Sequence, residues 1–172
     1  MLVEIRPTAA EELPAVRRLL DEAFGQPDEG ELVARLWASE AFIPELSLLG
    51  LTEHGEAVAY ILFTTIQIKT AATGHPSLAL APMAVWPDFQ RKGVGDQLIR
   101  AALERAKELG YSSVMVLGHA EYYPKFGFTK ASNWDIQCPL AVPDESFMAL
   151  ELQAGALEGM AGRVEYSQPF GI

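Results

Sequence analysis

Residues 83–99 read MAVWPDFQRKGVGDQLI, and the way this run divides decides the fold of the chain. Its first residues close a longer stretch, Leu78–Trp86, that is apolar on both faces and reads as a central strand. A loop over Pro87–Gly93 follows. The glycine-bearing turn Gln90-Arg91-Lys92-Gly93-Val94-Gly95 then opens a helix expected over about Val94–Leu109. Such a turn points backbone N–H groups outward at a helix N-terminus, where the helix dipole adds roughly half a positive charge. Gly93 and Gly95 allow a ligand close to the main chain, and Arg91 and Lys92 bring two cations. Together they make a seat for a pyrophosphate. No Gly-Lys-Ser/Thr follows, so this is not a Walker loop, and the G-x-G-x-x-G dinucleotide fingerprint is absent as well.

Pro82 stands inside the same strand, where proline has no N–H for a ladder. A bulge or splay at Ala81-Pro82 accommodates it. Beyond that point the amides of Met83, Ala84 and Val85 become available to a ligand in place of a neighbouring strand.

Working outward, Leu2–Arg6 alternates as a first strand. Thr8 and Glu11 have capping-box spacing before a helix over about Ala9–Phe24, with Leu13, Val16, Leu20 and Phe24 on one side. Pro14 predicts an irregular start, and Gly25-Gln26-Pro27 ends the helix. A second amphipathic helix is expected over Glu29–Ala38. Strands follow over about Leu46–Thr52 and Ala57–Lys69, turned at His54-Gly55. In the helix after the glycine turn, Val94, Leu98, Ala102 and Leu109 form the apolar stripe and Gly110 is the stop. Ser113–Leu117 is another buried strand, and Glu121–Phe126 a short helical piece. Phe147–Leu152 and Arg163–Tyr166 are late strands. One strand–helix–strand crossover beside an antiparallel middle predicts an α/β fold with a mixed, largely antiparallel central sheet flanked by helices.

The chain has 172 residues and a net charge of −10. Residues 1–86 carry 5 basic and 12 acidic side chains, and residues 87–172 carry 8 and 11. Neither half offers the basic face that nucleic acid demands. No stretch is long and apolar enough for a membrane helix, and MLVEIRPTAA lacks the basic lead-in of a secretory signal. Cys138 is the only cysteine, which excludes an intrachain disulfide and fits a cytoplasmic protein. His54, His75 and His119 have no metal-ligand spacing, so no metal is expected. This is the profile of one globular domain.

A second motif lies about thirty residues beyond the first: Gly118-His119-Ala120-Glu121-Tyr122-Tyr123-Pro124-Lys125-Phe126-Gly127-Phe128. The first motif resembles the acetyl-CoA-binding signature of the GNAT superfamily of N-acetyltransferases, Gln/Arg-x-x-Gly-x-Gly/Ala after a strand ending in Val-x-Pro. Here it is Gln90-x-x-Gly93-x-Gly95 after Val85-Trp86-Pro87. The second is similar to the family's Tyr-x-x-x-Gly-Phe signature, read as Tyr123 through Phe128. The doubled tyrosine and the tail FMALEL…GRVEYSQPF resemble the YhbS-like bacterial subgroup. About residues 139–172 then read as a subgroup-type extension of a single domain spanning 1–172.

The resemblance implies acetyl-CoA as cofactor, with CoA as co-product. It places Gln90, Arg91, Lys92, Gly93, Val94 and Gly95 at the pyrophosphate. Met83, Ala84 and Val85 lie along the pantetheine arm, and Tyr122 and Lys125 stand beside the cofactor. It also implies that the Val85 N–H polarises the thioester carbonyl and that Tyr123 protonates the departing thiolate. The acceptor is a primary amine of a small molecule or peptide. Glu121, His119, Glu45 and His54 are candidate bases by chemistry alone, His119 foremost because histidine titrates near neutrality. Two positions depart from the pattern. Asp96 stands where relatives carry a small or hydroxyl residue, and His119 where they carry Asn or Asp. An exposed edge at the C-terminal strand offers a place for a second copy to pair. Two other readings use the same loop: a non-catalytic acyl-CoA-binding module, which needs no Tyr123, and a nucleotide-phosphate enzyme, which lacks a Mg²⁺-binding Ser/Thr after the loop.

Overall fold

A computed structural model of the chain describes residues 1–172. The elements run β1 (Glu4–Pro7), α1 (Leu13–Phe24), α2 (Asp28–Trp37), β2 (Phe42–Leu51), β3 (Ala57–Thr70), β4 (Gly74–Val85) and α3 (Val94–Glu108). They continue as β5 (Ser113–Leu117), β6 (Thr129–Lys130), β7 (Ile136–Gln137), β8 (Phe147–Glu151) and β9 (Gly162–Glu165). The fold is mixed α/β with a largely antiparallel sheet, as the sequence predicts. Its parallel pairs are β4 with β5 and β7 with β9. Residues group into two compact units: Met1–Thr64 with Ala81–Arg105, and Thr65–Leu80 with Ala106–Ile172. Strands β3 and β4 each contribute to both.

In the first unit the strand order is β1-β2-β3-β4. β1 and β2 pair from Glu4↔Leu51 to Pro7↔Leu48. β2 and β3 pair from Leu51↔Ala57 to Phe42↔Thr64, with a bulge between Phe42 and Ser47. The hairpin expected at His54-Gly55 closes there, with Gly55 at φ +76°. Helices α1 and α2 pack on one another. Val16, Leu19 and Leu20 of α1 and Val33 and Leu36 of α2 are buried, as the spacing of apolar residues demands. Phe24 is not: it is 43% exposed, because Gly25 turns left-handed straight after it (φ +69°) and the chain leaves the packed face.

The start of α1 is irregular, as Pro14 predicts: a 3₁₀ turn over Ala10–Glu12 precedes it. The expected Thr8/Glu11 capping pair is displaced by one residue. The Glu12 carboxylate accepts the Ala9 N–H at 2.7 Å and also holds Arg6 at 2.8 Å. The Thr8 hydroxyl is drawn inward instead, to Ser47 Oγ at 2.8 Å. Ser47 in turn meets Tyr60 Oη at 2.8 Å, and the Trp37 indole N–H donates to that oxygen at 3.0 Å. Burial pushes the Tyr60 phenol well above its ordinary range.

In the second unit the strand order is β3-β4-β5-β8-β6. The β3–β4 hairpin closes where the Thr70 N–H donates to Thr73 O at 2.9 Å. The β4–β5 ladder consists of Leu78↔Val114 and Ala79↔Met115, and it ends three residues before Pro82. Ile66, Ile68, Met115, Phe147 and Val164 are among the side chains of one buried cluster. The C-terminal strand corrects an expectation. β9 is no exposed edge, since β3 pairs along one side and the short β7 along the other. β7 is two residues long, too brief to be read from hydrophobic alternation. Leu109 is likewise 43% exposed, lying past the end of α3 just before the left-handed Gly110 (φ +90°); Ala106 supplies the last buried position of that stripe.

Candidate active site

The β4–β5 register covers Leu78 and Ala79, and Ala81–Val85 continues β4 beyond it. The Ala81–Pro82 peptide is cis. Pro82 and Ala84 are buried, while Met83 and Val85 are half-buried. The inner side of the segment is fixed where the Trp86 N–H donates to Val58 O at 2.7 Å. A 3₁₀ turn over Pro87–Phe89 then carries the chain off the sheet.

The next residues shape the glycine turn. The Gln90 side-chain amide folds back and donates to the Val85 carbonyl at 2.9 Å. Arg91 adopts a left-handed φ of +62° and Gly93 one of +80°. No atom lies within 4 Å of where a Gly93 Cβ would stand, so the turn is open on that side. Gln90, Arg91, Lys92 and Gly93 are exposed, whereas Val94 is 1% exposed and pins the first residue of α3 to the core. The first intrahelical bond runs from the Gln97 N–H to Gly93 O at 3.1 Å, so the N–H groups of Val94, Gly95 and Asp96 precede the helical ladder. The Gln97 amide clasps the Leu2 main chain, accepting its N–H at 3.3 Å and donating to its carbonyl at 3.0 Å. Lys92 Nζ lies 5.8 Å from the Phe89 ring centre. The residues expected at the pyrophosphate thus lie on one turn, separated from Met83, Ala84 and Val85 by Trp86 and the Pro87–Phe89 turn.

The second unit carries the tyrosines. At the end of β5 the Gly118 N–H donates to Ser146 O at 2.9 Å. The His119 carbonyl accepts the N–H groups of Tyr122 (3.1 Å) and Tyr123 (3.4 Å), and a 3₁₀ turn over Tyr123–Phe126 ends at Gly127 (φ +101°). Tyr123 is 9% exposed. Its ring meets those of Tyr122 and Phe128 edge-on, at 5.1 and 5.8 Å between centres. Burial raises its pKa above the ordinary phenol value, so the hydroxyl holds its proton at neutral pH. Lys125 Nζ lies 4.4 Å from the Tyr122 ring centre, which brings those two predicted residues together.

The candidate bases are scattered. His119 and Glu121 are exposed beside the tyrosine turn. Glu45 is exposed on the β2 bulge, and His54 is exposed at the β2–β3 turn with Glu53 at 3.6 Å. No three His, Cys, Asp or Glu side chains come together as a metal would need. Cys138 is half-buried against the hydrophobic cluster of the second unit. No helix is long and apolar enough to cross a membrane. Sequence reading placed Gln90 at the turn but gave no sign that its side chain engages Val85, because a bond between positions five apart depends on how the turn closes.

Residues 4–131 match the family described as "Acetyltransferase (GNAT) domain". The chain is 37% identical over 157 residues to YjhQ, an N-acetyltransferase of Escherichia coli K12, covering 90% of this chain and 86% of that one. It is 29% identical to YhbS, an N-acetyltransferase of the same organism, covering 91% and 92%. The crystal structure of YhbS in complex with CoA superposes with a TM-score of 0.90 at 26% identity, over 100% of this chain and 93% of that one. A GNAT family acetyltransferase from Brucella melitensis in complex with acetyl-CoA gives 0.78 at 25% identity, over 97% of both chains. With a family model matched over residues 4–131 and a relative 37% identical over 90% of its own length, the chain belongs to the GNAT acetyltransferase family.

Proposed function

We propose that this acyltransferase binds acetyl-CoA and moves the acetyl group directly to a primary amine in a ternary complex. One observation carries the reading: within a single unit, Met83-Ala84-Val85 lies beyond the last β4–β5 pair and is followed, after the Pro87–Phe89 turn, by a helix-opening turn of exposed residues, Gln90–Gly93. An extended pantetheine arm can pair with a strand edge as another strand would. A pyrophosphate suits the N–H groups of Val94 and Gly95, with Arg91 and Lys92 as counter-charges. That solved relatives are complexes with CoA and acetyl-CoA supports this choice of cofactor.

In the reaction the amine nitrogen forms a bond to the acetyl carbon, and the C–S bond breaks. Negative charge grows on the carbonyl oxygen, and the Val85 N–H is the donor that stabilises it. The attacking nitrogen gives up its surplus proton to water, the departing thiolate takes a proton from the Tyr123 hydroxyl, and solvent returns one to the tyrosinate, so the products are the amide and free CoA thiol. A thiol ionises near pH 8.5 and a phenol near 10, so the transfer from Tyr123 is uphill and requires the hydroxyl to be in direct contact with the sulfur as the C–S bond breaks. Gln90, by holding the Val85 carbonyl, fixes the peptide that follows the donor N–H.

The test has two arms. At CoA concentrations about a hundredfold above Kd, mass action adds about 2.7 kcal/mol to stability, which raises Tm by roughly 5–10 °C in a chain of this size. With acetyl-CoA and a panel of amines, thiol release should then appear. Stabilisation by CoA with no turnover on any amine favours a binding module, and absence of stabilisation at millimolar CoA removes the proposal.

A further inference from the structure

We infer that Gly118 is a positioning residue whose missing side chain is the space occupied by one edge of the Tyr123 ring. The inference rests on the reading of Tyr123 as the acid. A Cβ built on Gly118 would stand 2.5 Å from Tyr123 Cε2, 3.2 Å from Cδ2 and 3.4 Å from Cζ, the carbon that bears the hydroxyl. Real Cβ atoms do not approach aromatic carbons so closely, so any other residue at 118 must move the ring or the backbone.

The backbone is held on both sides. The Gly118 N–H is bonded to Ser146 O at 2.9 Å, and Leu117, just before it, pairs with Phe147 of β8. After it, the His119 carbonyl receives the Tyr122 and Tyr123 amides. Gly118 does not have the left-handed φ that distinguishes Gly110 and Gly127, so glycine is not required there for conformational freedom. What remains is space. The ring is confined from other directions by Tyr122 at 5.1 Å and Phe128 at 5.8 Å between centres. Restoring a Cβ at 118 would push the Cζ–Oη axis off its present line, and proton transfer falls steeply when donor and acceptor lose hydrogen-bond distance.

The experiment is a kinetic double-mutant cycle of Gly118→Ala and Tyr123→Phe, with Tm recorded for each variant. Phenylalanine keeps the ring carbons and so the crowding, but has no hydroxyl. The expected result is a kcat reduced tenfold or more by Gly118→Ala, with KM for acetyl-CoA within twofold of wild type. In the Tyr123→Phe background the same change should lower kcat less than twofold, while its loss in Tm is equal in both backgrounds. Wild-type kcat in Gly118→Ala, or an equal drop in both backgrounds, overturns the inference. Wild-type kcat in Tyr123→Phe alone overturns the acid role itself, which keeps the two failures apart. If Gly118→Ala does not fold, Gly118→Ala/Tyr123→Leu decides: recovery of the Tm of Tyr123→Leu supports the ring as the obstacle, and persistent unfolding refutes it.

Discussion

At the scale of single residues, two ionisable groups have environments that set measurable behaviour. Burial keeps Tyr123 protonated beyond the ordinary phenol range. Turnover should therefore show no loss from its ionisation below about pH 10, and Tyr123→Phe should lower kcat at every pH while leaving CoA affinity by calorimetry unchanged. Glu12 is the opposite case. The hydrogen bond from Arg6 is the main cause that holds its carboxyl down to about 2, aided by the Ala9 N–H and opposed by partial burial. A carboxylate whose folded pKa is lowered stabilises the fold above its unfolded pKa of about 4.3, and that contribution fades as pH falls towards the folded value. Glu12→Gln should thus destabilise at neutral pH, and the gap from wild type in urea melts should close between about pH 4 and pH 2. With Arg6 35% and Glu12 24% exposed, solvent screening limits the neutral-pH loss to about 1 kcal/mol.

At the scale of elements, two buried hydroxyls on β3 make contrasting predictions. Tyr60 is fully buried, and its oxygen joins Trp37 of α2 to Ser47 of β2, which reaches on to Thr8. Tyr60→Phe removes one oxygen and leaves two partners short, so the loss should be about 1–3 kcal/mol. Thr64, four residues along and equally buried, has a hydroxyl with no hydrogen-bond partner. Thr64→Val removes a group already carrying its desolvation penalty, and stability should stay level or rise. Denaturant melts of both variants check the sign of each. Equal losses would show that the Tyr60 chain is no more than packing.

At the scale of the whole molecule, a net charge of −10 surrounds a turn that itself carries Arg91 and Lys92. An acidic field attracts cations and repels anions over a distance set by salt. Raising ionic strength from about 0.05 to about 0.5 M shortens the Debye length from roughly 14 to roughly 4 Å. KM for a multiply charged amine acceptor should rise over that range, while KM for a singly charged one should change little. The same screening should weaken acetyl-CoA binding if Arg91 and Lys92 face the pyrophosphate, because that attraction is local and opposite in sign. Initial rates across a salt series separate the two effects.

What the sequence determined by itself is what neighbours along the chain control. The order of the helices and the longer strands, the glycine stops at Gly25 and Gly110, the irregular start at Pro14 and the exposed turn from Gln90 to Gly93 all follow from local rules of period, dihedral and missing N–H. The two motifs that mark the family are local too. The tertiary structure decided what depends on residues far apart. Ser47 recruits Thr8 and leaves the cap to Glu12; β7 and β3 close both sides of β9; Gln90 reaches the Val85 carbonyl; and a tyrosine ring occupies the place of a Gly118 side chain. Each is settled by distance in space, which hydrophobic period and turn chemistry do not encode. A two-residue strand or a single absent methyl becomes legible only when its neighbour is in place.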